Sequence, residues 1–410
     1  MPGLRFQRDV DAPDALLRLA ARGVGGFCVF GGDDRLPALL RRLREAAPHP
    51  LLIASDVEDG AGQQVAGLSR HPPAAALTPD AAEIAGARTA VEARRVGITM
   101  AFAPVCDVVS EPRNPILQAR AFADPAASAP RFVVGARRMG LRTCAKHFPG
   151  HGAAALDSHD ALPVVDAPAE TWRARDLPPF AACIAAGVDA IMTAHVACPA
   201  LTGSATLPAT LSRRVMTSLL REEMGFRGLL VSDALLMDGV LQGRSEAQAA
   251  VAALQAGCDV VLCPSDVEGV LGAIERIEAS ASLDRIAAAA QPLPDALAAA
   301  AEASVRSRGP LPVGPGPHPI RTFDLGGSDP PEALRRSLSL PAVAILRRDR
   351  AWGGPLLLPP EARAAAREAG LLILLGPPVL MEGLHPPAWV QAPGEDPLTL
   401  EAVARRAFGR

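Results

Sequence analysis

The sequence predicts an α/β protein: a (β/α)8 TIM-type barrel followed by a small C-terminal α/β domain. Short apolar runs rich in β-branched residues alternate with Ala/Leu/Arg segments of helical character, the order of a parallel sheet with crossover helices. The runs are apolar throughout, as strands covered on both faces are. Seven fall within about 270 residues, which suits a closed barrel better than an open sheet.

The first run is "GVGGFCVFGG", Gly23 to Gly32. "LLIASD" (Leu51 to Asp56) and "ITMAFAPVCDV" (Ile98 to Val108) follow, then "LRTCAKHF" (Leu141 to Phe148) and "DAIMTAHV" (Asp189 to Val196). "GLLVSDA" (Gly228 to Ala234) and "DVVLCPSD" (Asp259 to Asp266) complete the series. Segments such as "ALLRRLREAA" and "SEAQAAVAALQAG" supply the helices between them, and "PDALAAAAEASVRSRG" is expected to close the barrel as a helix, giving a domain over 1–308. Next comes "GPLPVGPGPHP", Gly309 to Pro319, with five prolines in eleven residues. Such a stretch cannot be a helix or a central strand and predicts a stiff linker over 309–319. Residues 320–410 hold the strand-like runs "PAVAILRR", "GPLLLPP" and "GLLILLGPP" with two Ala/Arg helices, a small α/β domain.

Composition narrows the function. A net charge of −3 argues against a nucleic-acid partner or an anionic membrane surface. No run is long and apolar enough to span a bilayer, and the charged N-terminus has no signal core, so a cytoplasmic protein is expected. The seven cysteines are irregularly spaced within apolar runs, the pattern of buried free thiols in a reducing compartment. No metal-ligand cluster or phosphate-cradling glycine loop is evident, so neither metal nor cofactor is expected.

Against this background "KHFPGHG" (Lys146 to Gly152) and "DSH" (Asp157 to His159) stand out. Lys146 is the only lysine and Asn114 the only asparagine, while four of the eight histidines fall between His147 and His195. The charged residues also close the apolar runs: Asp56, Asp107, Lys146 with His147, His195 and Asp233. Any one of these would serve as a strand cap. As a set they predict a site, because the C-terminal ends of barrel strands form the active-site face.

"KHFPGHG" followed by "DSHDALP", together with "PRNPILQARAF" (Pro112 to Phe122) and "LPATLSRRVMTSLLREEMGFRGLLVSDALLMDGV" (Leu207 to Val240), resembles the glycoside hydrolase family-three β-N-acetylhexosaminidases. The likeness runs in order from about Gly23 to Cys263. "TLEAVARRAFGR" faintly resembles the end of that family's second, sandwich domain, here shortened.

The resemblance implies a retaining hydrolase of terminal β-linked N-acetylglucosamine. Asp233 would be the nucleophile and His159, oriented by Asp157, the acid/base on a mobile loop. Lys146, His147, Asp56 and Arg120 would bind sugar hydroxyls; lysine offers a compact donor where a planar guanidinium would not fit. His151 is expected to support the loop, and His195 to line the rim or support it. Few polar anchors are expected in the loop, since it carries three consecutive alanines. Two departures bear on specificity: Ala61 stands near where a sugar-binding arginine is common, and Ala234 where a second acid is common. Muropeptide recycling and chitooligosaccharide turnover both fit. A family-three β-glucosidase or β-xylosidase, a glycoside phosphorylase, and a non-catalytic sugar-binding protein are the alternatives.

Overall fold

The computed structural model describes residues 1–276, Arg285 and five strands beyond them. The chain divides into two compact units, Met1–Pro294 and Asp295–Arg410.

The first unit is a (β/α)8 TIM-type barrel. Its eight strands are β1 (Gly3–Arg5), β2 (Gly26–Phe30), β3 (Leu52–Ser55), β4 (Met100–Ala101), β5 (Arg142–Phe148), β6 (Ala190–Thr193), β7 (Leu229–Ala234) and β8 (Val260–Leu262). Neighbours pair in parallel in sequence order. Cys263 N donates to Met1 O at 3.0 Å, which brings the end of β8 to the start of β1. The sequence reading lacked β1, because its three residues sit among charged side chains and form no apolar run.

Helices cover the outside. Thr78 caps Pro79–Arg95, Asp124 caps Pro125–Arg138, and Ser245 forms a capping box with Gln248 on Glu246–Ala256. Each cap satisfies amide donors that the first helical turn leaves unpaired.

Alternation along the strands then decides what enters the barrel. Leu52 and Ala54 of β3, Cys144 of β5, and Leu229 and Val231 of β7 belong to the apolar cluster inside it. Their neighbours Ile53, Ala145 and Leu230 belong to the cluster under the helices. With a period of two, the next inward positions are Asp56, Lys146 and Asp233. The pattern that fills the barrel floor thus carries three charged side chains to its mouth.

In the second unit β9 (Arg306–Arg308), β10 (Ile320–Leu325), β11 (Val343–Arg348), β12 (Leu371–Leu375) and β13 (Trp389–Ala392) form one sheet in the order β10-β11-β12-β13-β9. The first three pairings in that order are parallel, and the fourth, β13 with β9, is antiparallel. Arg306–Arg308, expected at the end of a barrel helix, is therefore a strand paired with β13. The proline-rich stretch 309–319, the "GPLLLPP" run and the expected C-terminal helices lie outside the described residues.

Candidate active site

A pocket of about 420 Å³ opens at the C-terminal ends of the strands and is lined by Asp56, Arg120, Lys146, His147, His159 and Asp233. Asp157 stands behind His159 and is not on the pocket wall.

One wall is an ion-pair network. Lys146 Nζ lies 2.6 Å from Asp56 Oδ1 and 2.6 Å from Glu58 Oε1. Arg120 grips Glu58 with two bonds, Nε to Oε2 at 2.9 Å and a terminal nitrogen to Oε1 at 2.8 Å. Two cations thus balance two carboxylates. Burial would lower the Lys146 ammonium, but Asp56 and Glu58 raise it instead. Burial would raise the Glu58 carboxyl, but Lys146 and Arg120 hold it well below the usual carboxylate range. Lys146 keeps one ammonium hydrogen beyond these two contacts, and Arg120 keeps N–H donors beyond those to Glu58 and the Ile116 carbonyl. The sequence reading missed Glu58. Its signal was a second carboxylate two residues after Asp56, at the same end of β3.

Asp107 organises the lysine–histidine turn. Its Oδ2 takes the His147 backbone N–H at 3.2 Å and lies 2.7 Å from His147 Nδ1, while its Oδ1 takes the His151 N–H at 2.6 Å. This orients the His147 ring with Nε2 as its remaining polar atom. Burial pushes the Asp107 carboxyl up, and the His147 imidazole and these hydrogen bonds bring it below its usual value.

Asp233 ends β7. The Ala234 N–H donates to its Oδ1 at 2.7 Å. Burial pushes the Asp233 carboxyl up; the nearby imidazoles of His147 and His195, the Ala234 N–H and the Lys146 ammonium more than reverse this, leaving it below its usual value and ionised. His195 is fully buried and absent from the pocket wall. Its Nε2 donates to the Ala234 carbonyl at 3.1 Å and its Nδ1 lies 2.7 Å from Thr210 Oγ1, so it braces the residue after Asp233.

The loop after β5 carries the other pair. Asp157 Oδ1 accepts from the His159 backbone N–H at 2.9 Å and lies 2.7 Å from Nδ1. Nε2 is left outward on a side chain that is 59% exposed, where it can exchange protons. Burial pushes the Asp157 carboxyl up, and the His159 backbone and ring bonds bring it below its usual value. The expectation of few polar anchors is corrected: the loop's backbone is held from outside it. Asn114 Nδ2 donates to His151 O at 2.9 Å and Ala154 O at 3.0 Å, while Ser110 N and Glu111 N both donate to Gly152 O. On the far side, Asp238 N donates to His159 O at 3.2 Å and Gly239 N to Ser158 O at 3.0 Å. His151, buried, places Nε2 3.1 Å from Ser158 Oγ. Gly152 and Gly239 permit this docking, because an added Cβ would stand 1.9 Å from Val108 O and 2.7 Å from Ser158 O respectively.

Ala61 is fully buried in the core, and Gln63 and Gln64 line the pocket nearby. All seven cysteines are buried and free.

Known proteins carry the same barrel. Residues 19–292 match the glycosyl hydrolase family 3 N terminal domain. The beta-hexosaminidase of Methylococcus capsulatus is 38% identical over 284 residues, 65% of this chain and 84% of the relative. NagZ from Neisseria gonorrhoeae, solved in complex with N-trifluoroacetyl-D-glucosamine, superposes with a TM-score of 0.61 at 27% identity, covering 68% of this chain and 86% of its own. A family 3 beta-N-acetylglucosaminidase from Paenibacillus sp. str. FPU-7 shares the fold across 100% of this chain and 95% of its own, with a TM-score of 0.65 at 24% identity. The family match spans the strands that bring Lys146 and Asp233 to one mouth, and the chain belongs to glycoside hydrolase family 3.

Proposed function

We propose that the protein is a retaining β-N-acetylhexosaminidase that releases terminal β-linked N-acetylglucosamine, with Asp233 as nucleophile and a His159–Asp157 pair as acid/base. The observation that carries this reading is that an ionised carboxylate held at one oxygen by the Ala234 N–H and an exposed, carboxylate-oriented imidazole line one pocket. The beta-hexosaminidase relatives support the sugar.

In the first half-reaction, Asp233 Oδ2 attacks the anomeric carbon while Oδ1 stays on the Ala234 N–H. The glycosidic bond breaks and its oxygen takes the proton from His159 Nε2. An N-acetylglucosaminyl ester of Asp233 remains. His159, now neutral, takes a proton from water, whose oxygen attacks the anomeric carbon and frees Asp233. Asp157 fixes the tautomer and stabilises the imidazolium. The Lys146–Asp56–Glu58–Arg120 wall carries no net charge but keeps unused donors and acceptors, which suits the hydroxyls of an uncharged sugar.

Hydrolysis is favoured over phosphorolysis because Lys146 and Arg120, the cations of this wall, already have carboxylate partners. The chemical groups named here all belong to the barrel. Turnover of imported cell-wall fragments or of chitooligosaccharides in the cytoplasm is the expected setting. Product analysis by NMR on a GlcNAc glycoside, with and without phosphate, tests the reading. A β-configured hydrolysis product, and an N-acetylhexosaminyl adduct on the Asp233 peptide with a slow fluorinated substrate, are expected. An α-configured first product, or an absolute need for phosphate, would overturn it.

A further inference from the structure

We infer that the pocket carries an inhibitory soft-metal site: Cys28 and Cys263 take one thiophilic ion of the Cu(I) class between them as a two-coordinate dithiolate, and the bound ion excludes the sugar. The metal binding stands apart from the hexosaminidase reading, and only its effect on turnover rests on that reading.

Sulfur is concentrated at this pocket. The chain has seven cysteines and eight methionines in 410 residues, yet Cys28, Met192, Met237 and Cys263 all line this cavity. Cys28 lies on β2 and Cys263 follows β8, and both belong to the cluster inside the barrel. β1 runs between them. Gly3 of β1 is in register with Cys28, Cys263 N bonds Met1 O, and a Cβ built on Gly3 would stand 3.7 Å from Cys263 Sγ. The strand between the two cysteines thus has no side chain there to part them, and the two thiols hydrogen-bond to each other. Cys263 also has a φ of +48°, a left-handed conformation that few non-glycine residues adopt and that clusters at functional sites.

Chemistry selects the ligand. Two strand spacings put the two backbones about 9 Å apart, beyond the roughly 7 Å that a disulfide spans. An ion between the sulfurs bridges that gap, with a thiolate bond of about 2.3 Å on each side. The Cys263 contact and burial push the Cys28 thiol up, which makes it a poor target for oxidants and alkylating agents at neutral pH. A metal ion displaces the protons instead: two thiols lose two protons to water, two thiolates bind one ion, and no electron moves. Thiolates select soft ions. Harder ions need more ligands, and among the described residues no group of three or more His, Cys, Asp or Glu could hold one. The Asp56 carboxylate and the Lys146 ammonium both act on the Cys28 thiol, which places the ion beside the groups read as binding the sugar. A second thiol pair, Cys106 and Cys183 with Sγ atoms 3.5 Å apart, lies under the helices and is not on the pocket wall.

The test uses Ag(I), which has the filled d shell of Cu(I) and is not oxidised by air, at free concentrations fixed by a chloride-free ion buffer. With an aryl GlcNAc glycoside, silver should raise the apparent KM of the native protein and leave kcat unchanged. Cys28→Ser and Cys263→Ser, each read against its own silver-free activity, should raise the silver concentration for half-inhibition by more than about 100-fold, beyond the 10–100-fold that a lost outer contact costs a metal site. Cys106→Ser, which breaks the other thiol pair, should leave that concentration unchanged. Silver-edge X-ray absorption on the Cys106→Ser protein with one equivalent bound should show two sulfur neighbours. Nitrogen or oxygen neighbours in place of sulfur, a fall in kcat at constant KM, or a Cys28→Ser protein as sensitive as the native one would each overturn the inference. A protein that turns over no GlcNAc glycoside overturns the hexosaminidase reading instead, and the two-sulfur signature, present in Cys106→Ser and lost in Cys28→Ser, still decides the metal site.

Discussion

Glu58 Oε1 lies 2.6 Å from Lys146 Nζ deep in the pocket wall, with Arg120 bidentate on the same carboxylate. One acidic side chain thereby holds both Lys146 and Arg120 in that wall. A carboxyl depressed below its unfolded value stabilises the fold above that value and loses the contribution as pH falls toward the folded one.

Glu58→Gln should accordingly destabilise the barrel by about 3–5 kcal/mol at neutral pH, because the buried Lys146 ammonium and the half-buried Arg120 guanidinium lose a charged partner. The difference from the native protein should persist down to about pH 4.3, the unfolded glutamate value, and shrink only below it. Melting temperatures of both proteins from pH 3 to pH 8 measure this. A gap that closes between pH 5 and pH 7 contradicts the assignment, since Glu58 stays ionised there.

Lys146→Arg should not rescue function. The ammonium is 2% exposed and meets two carboxylates on different residues, so a guanidinium must displace one or the other. The expected outcome is a fall in kcat/KM on the order of 10²-fold, the loss that a small misplacement of substrate brings. Steady-state kinetics on an aryl GlcNAc glycoside decide it; an arginine variant within a few-fold of native would show that ammonium geometry is not what the site needs.

Asn114 is expected to matter through the loop it holds. Its amide donates to His151 O and Ala154 O, and its Oδ1 accepts from Ile116 N and Leu117 N. Asn114→Ala leaves these buried groups unpaired at a cost of about 1–3 kcal/mol. Hydrogen exchange should rise across 151–160, with kcat falling more on unactivated than on activated substrates. Unchanged exchange in that loop would count against Asn114 as its anchor.

The fold and the charged mouth were legible because both follow from one periodicity. Continuous apolar runs marked the strands, and in three of them the charged residue at the end, Asp56, Lys146 or Asp233, was the next inward position. β1 was not legible, being three residues without an apolar signature. Arg306–Arg308 was misread because its Ala-rich approach favours a helix while its partner, β13, lies more than eighty residues away; long-range pairing overrides local propensity. Glu58 escaped because nothing local distinguishes it from a surface acid in "DVEDG"; only the arrival of Lys146 and Arg120 from distant strands and turns makes it part of the site. His195 was readable as a strand-end histidine, but its direction, into Thr210 and the Ala234 carbonyl, depends on tertiary packing.

Asp233, the proposed nucleophile, and the loop histidine should respond differently to removal. Asp233→Asn should abolish turnover, because no glycosyl ester can form on an amide. His159→Ala should spare substrates whose leaving group needs no proton, and should slow natural disaccharides by on the order of 10²–10⁴-fold, the usual contribution of general acid–base catalysis. Asp157→Ala should give the same pattern more mildly, since Nδ1 loses its orienting carboxylate while Nε2 still carries the proton. Gly239→Ala supplies an independent route to the same signature. Its new Cβ would meet Ser158 O at 2.7 Å and Ala161 O at 3.2 Å, so the loop must lift and carry His159 with it. The measurement is the dependence of log(kcat/KM) on leaving-group acidity for each variant. A steeper dependence than native is expected for His159→Ala, Asp157→Ala and Gly239→Ala. Equal slowing of activated and unactivated substrates in His159→Ala would remove His159 from the role of proton donor, whatever its distance from Asp233.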